Sequence, residues 1–164
     1  MMQQIQADEL ASMQAYLGPL LTGEACPVMV RQVPIPFLRL VWPHVVERIA
    51  RVVERSAGRM TIDNIADRLL RGEEQMWVVY DGAIRAVLTT EIVVWPSGMK
   101  TGRINWCTGN GANQWRELVA DIHDWSKAQG AVKFEMMARK GWAKLLPDHK
   151  ISHVLLEKDL TDGQ

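Results

Sequence analysis

The stretch that decides the fold is Arg103-Ile104-Asn105-Trp106-Cys107-Thr108-Gly109-Asn110-Gly111-Ala112. Its first half reads as a short strand, Arg103 to Cys107. Thr108 to Gly111 is a Gly-x-Gly turn. From about Ala112 to Gln129, Trp115, Leu118, Val119, Ile122 and Trp125 recur at helical spacing, and Gly130 supplies the stop. Ala131 to Met137 reads as a second strand, closed by Arg139-Lys140-Gly141-Trp142. Such a unit presents backbone N–H groups and a helix N-terminus to an anionic ligand. A plain strand-to-helix turn that needs positive φ reads the same way.

Outward from this unit the elements come in a regular order. Towards the C-terminus, Trp142, Leu145 and Leu146 mark a short helix stopped by Pro147, and His153 to Lys158 predicts a last strand. Towards the N-terminus, Pro96-Ser97-Gly98 makes a turn after a long strand from Ala83 to Trp95. Asp81-Gly82 signals a hairpin to a strand over Gln75–Tyr80. One helix, with Ile62, Ile65, Ala66, Leu69 and Leu70 on its face, follows Thr61 or Asp63 and closes at Gly72. Another starts near Trp42, with Pro43 in its first turn, and runs through Val45, Val46, Ile49, Val52 and Val53 to Gly58. Val28 to Val33 predicts a strand, interrupted by Pro34-Ile35-Pro36.

Residues 1–28 read as an extension to a domain spanning 29–164. They hold one short helix, Ala7 to Leu17, with Leu10, Met13 and Leu17 on one face and Gly18-Pro19 as its end. That face either docks on its own domain or forms a contact arm for another subunit. The order is β-α-α-β-β-β-α-β-α-β after this arm. It predicts an α/β (α+β) fold: a mixed, mostly antiparallel sheet flanked by helices, with one crossover into a parallel neighbour.

Composition narrows the function classes. The 164 residues carry nineteen basic and nineteen acidic side chains, so no electrostatic footprint for nucleic acid or an anionic membrane stands out. Apolar residues make up 48 %, enough for a substantial core, and seven tryptophans imply large aromatic anchors within it. No apolar run approaches the roughly 18–20 residues of a membrane span, and the first residues lack the features of a signal peptide. Cys26 and Cys107 form neither a zinc spacing nor a disulfide scaffold, which fits a reducing cytoplasm.

The element order resembles that of the GCN5-related N-acetyltransferases (GNAT), over about Val28 to Leu160. More narrowly, the chain resembles GNAT-like proteins encoded by tailed bacteriophages. The residues carrying this are Gln75-Met76-Trp77, Thr90-Glu91-Ile92, Trp115, Asp124-Trp125, Gly130, Arg139-Lys140-Gly141-Trp142 and Leu156-Glu157-Lys158-Asp159-Leu160. The resemblance implies an acetyl-CoA-dependent N-acyltransferase, with the pyrophosphate on the loop after the splayed strand and the pantetheine along that strand's edge. Carried onto this sequence, those positions are Trp106, Cys107, Thr108, Gly109, Asn110, Gly111 and Ala112.

Three departures stand out. Trp106 occupies the place of an Arg or Gln, the tyrosine that often protonates the thiolate falls on Leu145 or Leu146, and Arg103–Cys107 offers no carboxylate. A lost charge-assisted bond costs about 1.5–3 kcal/mol. A lost acid or base costs roughly 10²–10⁴ in rate.

Glu91 is then the best available general base, or a solvated carboxylate on its strand. Arg139 is a candidate for an acidic ligand group, or a salt-bridge partner. Trp142 is a candidate for substrate or partner contact, or a core anchor. His123 falls off the apolar face and reads as solvated. Pro147 argues against a metal site from His149 and His153, and Cys107 has no adjacent histidine to activate it.

Two functions fit. One is an acetyl-CoA-dependent N-acetyltransferase acting on an amine. The other is a non-catalytic GNAT-like virion, assembly or interaction component, with a protein partner or self-association through residues 1–28. The expected location is the host cytoplasm or the virion.

Overall fold

Gln75–Tyr80 (β2) and Ile84–Val94 (β3) form the hairpin that Asp81-Gly82 signals. β2 reads as a near-continuous apolar run because the sheet is covered on both faces there. The computed structural model describes residues 7–109 and 112–161, and backbone only for residues 9, 10, 13 and 14. Among these, Ala7–Thr22 (α1) precedes Met29–Val33 (β1). A 3-10 turn at Ile35–Phe37 leads into Leu38–Arg55 (α2), and Ile62–Leu70 (α3) follows. After β2 and β3 come Lys100–Gly109 (β4), Ala112–Trp115 (α4), a 3-10 turn at Arg116–Leu118, Val119–Ala128 (α5), Lys133–Met136 (β5) and Trp142–Leu145 (α6).

The five described strands lie in the order β1-β2-β3-β4-β5. The first three pairings are antiparallel, and β4 pairs β5 in parallel, as the crossover requires. Helices α1, α2 and α3 cover one face. There Leu17, Val41, Val45, Ile49 and Leu69 pack on Met76, Val78, Tyr80, Val87 and Trp106. The segment from α4 to α6 covers the other face. There Trp115, Val119, Ile122 and Leu146 pack on Trp77, Val79, Leu88 and Ile104.

Local signals explain several boundaries. α3 opens on a capping box: Thr61 Oγ1 accepts from the Asn64 amide, and Asn64 Oδ1 accepts from the Thr61 amide, both at 3.1 Å. The structure corrects other boundaries. α1 does not stop at Leu17 but continues through Gly18 and Pro19 to Thr22. An interior proline costs about 3 kcal/mol. Leu17 and Leu20 lie on either side of it, both buried against α2 and the sheet, and each such burial stabilises by about 1.5–3 kcal/mol. Two burials therefore offset one proline. The expected face partners Leu10 and Met13 lie outside the described side chains.

α2 starts at Leu38, not near Trp42, so Pro43 sits in its second turn. The buried stripe Leu38, Val41, Val45 and Ile49 carries the helix across that break. The single helix expected over 112–129 is three pieces, interrupted where Trp115 adopts φ −127° and ψ 0°. β4 begins at Lys100, three residues earlier than its apolar core suggests, because its first half pairs with the far end of β3. The strand expected at His153–Lys158 does not form. That segment is irregular and exposed, and Glu157 is drawn to Arg59, in the α2–α3 loop.

Candidate functional site

β4 changes neighbours along its length. Thr101–Ile104 pair with β3 on one side and with Lys133–Met136 of β5 on the other. β5 then ends, while β4 continues to Gly109 with only β3 beside it. At this fork the ladder also shifts register: Thr90 faces Ile104, whereas Thr89 faces Trp106. Asn105 is thus the extra residue of a β-bulge, a device that bends a strand and re-aims its side chains.

The bulge reverses the usual alternation. Ile104 packs on the α5 face and Trp106, two residues on, packs on the α2 face. Trp106 therefore points away from α4, and its buried Nε1 has no hydrogen-bond partner among the described residues. Cys107 lies on the α5 face with Trp115, Trp142 and Leu146. Burial pushes its thiol up to about 12, so the sulfur stays protonated and is no nucleophile at neutral pH. Thr108 is buried.

Gly109 has a local explanation. A Cβ there would lie 2.4 Å from the Arg85 carbonyl oxygen and 2.5 Å from Ala86 Cβ. Close approach to β3 demands the glycine, and positive φ does not, since its φ is not positive. Asn110 and Gly111, the centre of the expected phosphate loop, lie outside the described residues. Ala112 opens α4, which is four residues long. An anion at this turn would meet the amides of one turn only, because the dipole of a long helix is not there to add to them.

At the other end of β4 an ion-paired row crosses the sheet. Glu91, Arg103 and Glu135 are cross-strand neighbours on β3, β4 and β5. Arg68 of α3 donates to Glu91 Oε2 at 2.8 Å and to Glu74 Oε1 at 2.6 Å. Arg103 donates to Glu91 Oε1 at 3.2 Å and to Glu135 Oε1 at 2.8 Å through Nε. Its bond to Glu74 holds the Arg68 guanidinium above its ordinary value. Both carboxylate oxygens of Glu91 are therefore engaged, on the α2–α3 face and one to two rungs from the fork.

Trp142 opens α6 half-buried, its ring 5.8 Å from Trp115 at an interplanar angle of 54°. Arg139 is exposed in the turn before it, and its carbonyl accepts the Trp142 amide at 2.9 Å. No described carboxylate lies within ion-pair distance of Arg139. His123 is not solvated as its place on the helix suggests. Its ring stacks 4.5 Å from Phe134 and 5.1 Å from His149, and Nε2 is buried without a partner. Burial, then His149, pulls its protonation below the ordinary histidine range. His149 thus faces His123 and not His153. No group of three metal-ligating side chains occurs among the described residues.

Cys107 shares the α5 face with Trp142, Trp106 lies on the opposite face, Thr108 and Gly109 continue the strand, and Glu91 and Arg139 stand at separate rims. Sequence reading missed Asn105 and the Arg68–Glu91–Arg103–Glu135 row. Only the residue count between Thr90 and its partner could have disclosed the bulge, and that count needs the pairing. Two shallow concavities lie elsewhere. One of about 440 Å³ is bounded by α1, His44, Arg48 and the β2–β3 turn, and one of about 160 Å³ lies beside Glu74 and Gln75.

No protein-family model and no curated protein sequence matches the chain. Solved structures do, at the level of fold. An aminoglycoside acetyltransferase from an uncultured soil metagenomic sample, in complex with trehalose, superposes with TM-score 0.61 at 11 % identity, over 82 % of this chain and 97 % of its own. A predicted acetyltransferase with acetyl-CoA from Clostridium acetobutylicum gives 0.57 at 14 % identity, over 81 % and 96 %. Glucosamine-6-phosphate N-acetyltransferase from Arabidopsis thaliana gives 0.57 at 15 % identity, over 82 % and 99 %. The architecture, a mostly antiparallel sheet between helices, is that of GNAT acetyltransferases.

Proposed function

We propose that this chain is an acetyl-CoA-dependent N-acetyltransferase acting on an amine. The observation that carries the reading is the fork: β4 outlasts β5 by Asn105–Gly109, so one strand edge is left without a described partner strand up to Gly109. A free strand edge offers the alternating N–H and C=O groups that suit the amides of a pantetheine chain. That chemistry fits the residues present.

When bound, acetyl-CoA supplies the acetyl group as a thioester. Trp106, Cys107 and Thr108 would offer it their backbone edge, and the stretch Gly109, Asn110, Gly111 and Ala112 would hold the pyrophosphate. The protonated Cys107 thiol and the Trp115–Trp142 pair keep that side of the strand apolar and exclude water. Trp142 and the exposed Arg139 border the fork on the α5 face, across the sheet from Glu91. Glu91 is the base we assign: to take a proton it gives up its longer bond, that from Arg103 at 3.2 Å. Arg139 suits an acidic group on the acceptor.

A second reading is favoured by two observations: both oxygens of Glu91 are engaged, and Trp106, at the place where the resemblance expects Arg or Gln, faces away from α4. On that reading the domain is a non-catalytic GNAT-like component of a tailed phage, in the host cytoplasm or the virion. Its partner contacts then involve residues 1–28, of which α1 already spends Leu17 and Leu20 on its own core.

Isothermal titration with acetyl-CoA and CoA separates the two. Micromolar binding that weakens at least tenfold in Gly111→Val, with thiol release when amines are added, establishes the enzyme. No heat and no thermal shift at millimolar ligand removes it and leaves the scaffold.

A further inference from the structure

Glu74 is the most buried acid of the ion-paired group that Arg68 joins. Its side chain is 7 % exposed, against 18 % for Glu91, 42 % for Glu135 and 45 % for Glu73. Arg68 donates to its Oε1 at 2.6 Å. Its Oε2 is buried and has no hydrogen-bond partner among the described residues. A buried carboxylate oxygen in that state is costly, because it has lost water and gained no donor.

The neighbours do not supply the missing partner. Four carboxylates, those of Glu73, Glu74, Glu91 and Glu135, share three guanidiniums, those of Arg68, Arg71 and Arg103. Arg68 alone serves three of the four, and Arg71 reaches Glu73 only at 3.9 Å. One negative charge is left over in the group. The orphaned oxygen belongs to the acid that solvent screens least.

A space adjoins that acid. The concavity of about 160 Å³ lies between the end of β1, the first residue of α2, the end of α3 and the start of β2. Val33, Ile35, Leu38 and Leu69 supply apolar wall, and Glu74 and Gln32 supply polar groups. It is larger than a single water needs. It stands on the β1–β2 side of the sheet, away from the β4–β5 fork.

We propose that this concavity binds a primary alkylammonium group, with the cation on Glu74 and the methylene chain against Val33, Ile35, Leu38 and Leu69. The charge balance calls for a cation, and the apolar wall calls for one that carries its own apolar stem. A primary ammonium on a run of methylenes meets both demands. Its three N–H donors can also serve the Gln32 side-chain oxygen. A guanidinium gains most by gripping both oxygens of a carboxylate, and Oε1 is already held by Arg68. A metal ion is a poorer match, since no group of three metal-ligating side chains occurs among the described residues. The ammonium can come from a free alkyl amine or from a lysine side chain of another protein, and the two share this chemistry.

The test needs no acetyl-CoA and does not rest on the transferase reading. Ligand-observed NMR titration of the full chain with n-butylamine is expected to show saturable binding, with Kd on the order of 1 mM for so small a ligand. n-Butanol, its neutral counterpart, should bind at least about tenfold more weakly, the size of one charge-assisted hydrogen bond. Glu74→Gln should lose as much, while Glu73→Gln, beside it and exposed, should stay within about twofold. Ile35→Trp leaves Glu74 and its ion pairs in place and narrows the concavity. It should show the same loss even if Glu74→Gln disturbs the fold. Cadaverine and Nα-acetyl-lysine methylamide separate the sources: tighter binding of the diamine assigns a free amine, and tighter binding of the blocked lysine assigns a protein side chain. Absence of saturable binding overturns the inference. So does equal binding of n-butanol, an equal loss in Glu73→Gln, or full affinity in Ile35→Trp. A loss confined to Glu91→Gln overturns it too, because the amine would then sit at the fork.

Discussion

The two halves of β4 are made of the same backbone and serve opposite purposes. From Lys100 to Ile104 the strand is held on both edges, clamped by α5, and crossed by a row of alternating charges. From Asn105 to Gly109 it keeps one partner strand and opens its other edge. The clamped half explains why the open half can exist. A strand edge offered to a ligand must be rigid, and the rigidity is supplied one turn of pleat away. At the clamped end even the helix comes unusually close: a Cβ on Gly102 would lie 2.4 Å from Ser126 Oγ and 2.7 Å from its Cβ.

The sharpest way to break this contrast is to remove the cover of the open half. Trp115→Ala should cost about 3–5 kcal/mol by urea denaturation. A cost below 1 kcal/mol would mean that Trp142 and Leu146 carry the cover without it. Next, Gly102→Ala and Gly109→Ala should each cost about 1–3 kcal/mol, since neither has room for a methyl group. They should differ in ligand response. The folded Gly102→Ala protein keeps any acetyl-CoA affinity, and Gly109→Ala loses at least tenfold. Equal affinities would place the ligand away from the open half.

Glu91→Gln separates support from chemistry. The row it belongs to is partly solvated, so its loss should cost only about 1 kcal/mol in thermal stability. If Glu91 is the base, turnover falls by roughly 10²–10⁴. If turnover is unchanged, Glu91 belongs to the clamp alone.

The smallest effect concerns His123, packed against Phe134 and His149 and within the field of Lys127, Asp124 and Asp148. Its folded protonation lies below the ordinary value near 6.5. The unfolded chain therefore binds the proton first as pH falls, and stability declines from about pH 6.5 downwards. His123→Phe should flatten that decline in pH-dependent melts. An unchanged slope would assign the decline to other groups.

Much of this architecture was legible in the sequence for physical reasons. Thr61 or Asp63 announces a helix start, Asp81-Gly82 announces a hairpin, and the apolar run at β2 and the Val-, Ile- and Thr-rich run at β3 announce its two strands. Boundaries at Pro19 and Pro43 were misread because burial on both flanks outweighs a local proline penalty that sequence can see. The segment His153–Lys158 has the composition of a strand and lacks the partner that would make it one. Of the candidate site, the strand that leads to Gly109 was legible, and Asn110 and Gly111 lie outside the described residues. The site's working geometry was not legible, because the bulge at Asn105 and the charge row through Glu91 exist only once strands are paired. Gly109 carries a similar lesson: β3 requires it, whatever the ligand.

The bulge has a consequence for how such a chain can change length. Side chains on a strand are counted in parity, odd to one face and even to the other. Asn105 adds one to that count, so Trp106 and everything beyond it answer to a different parity from Ile104. Deleting this single residue would remove the bulge and leave a regular ladder, with Thr90 beside Ile104 and Thr89 beside Trp106, so the indole of Trp106 would stay in the α2 layer and Cys107 in the α5 layer. A deletion between Trp106 and Gly109 would instead exchange the two layers for the rest of the strand. A one-residue gap at position 105 between this chain and relatives of the same architecture should therefore stand alone, without a compensating insertion before Gly109.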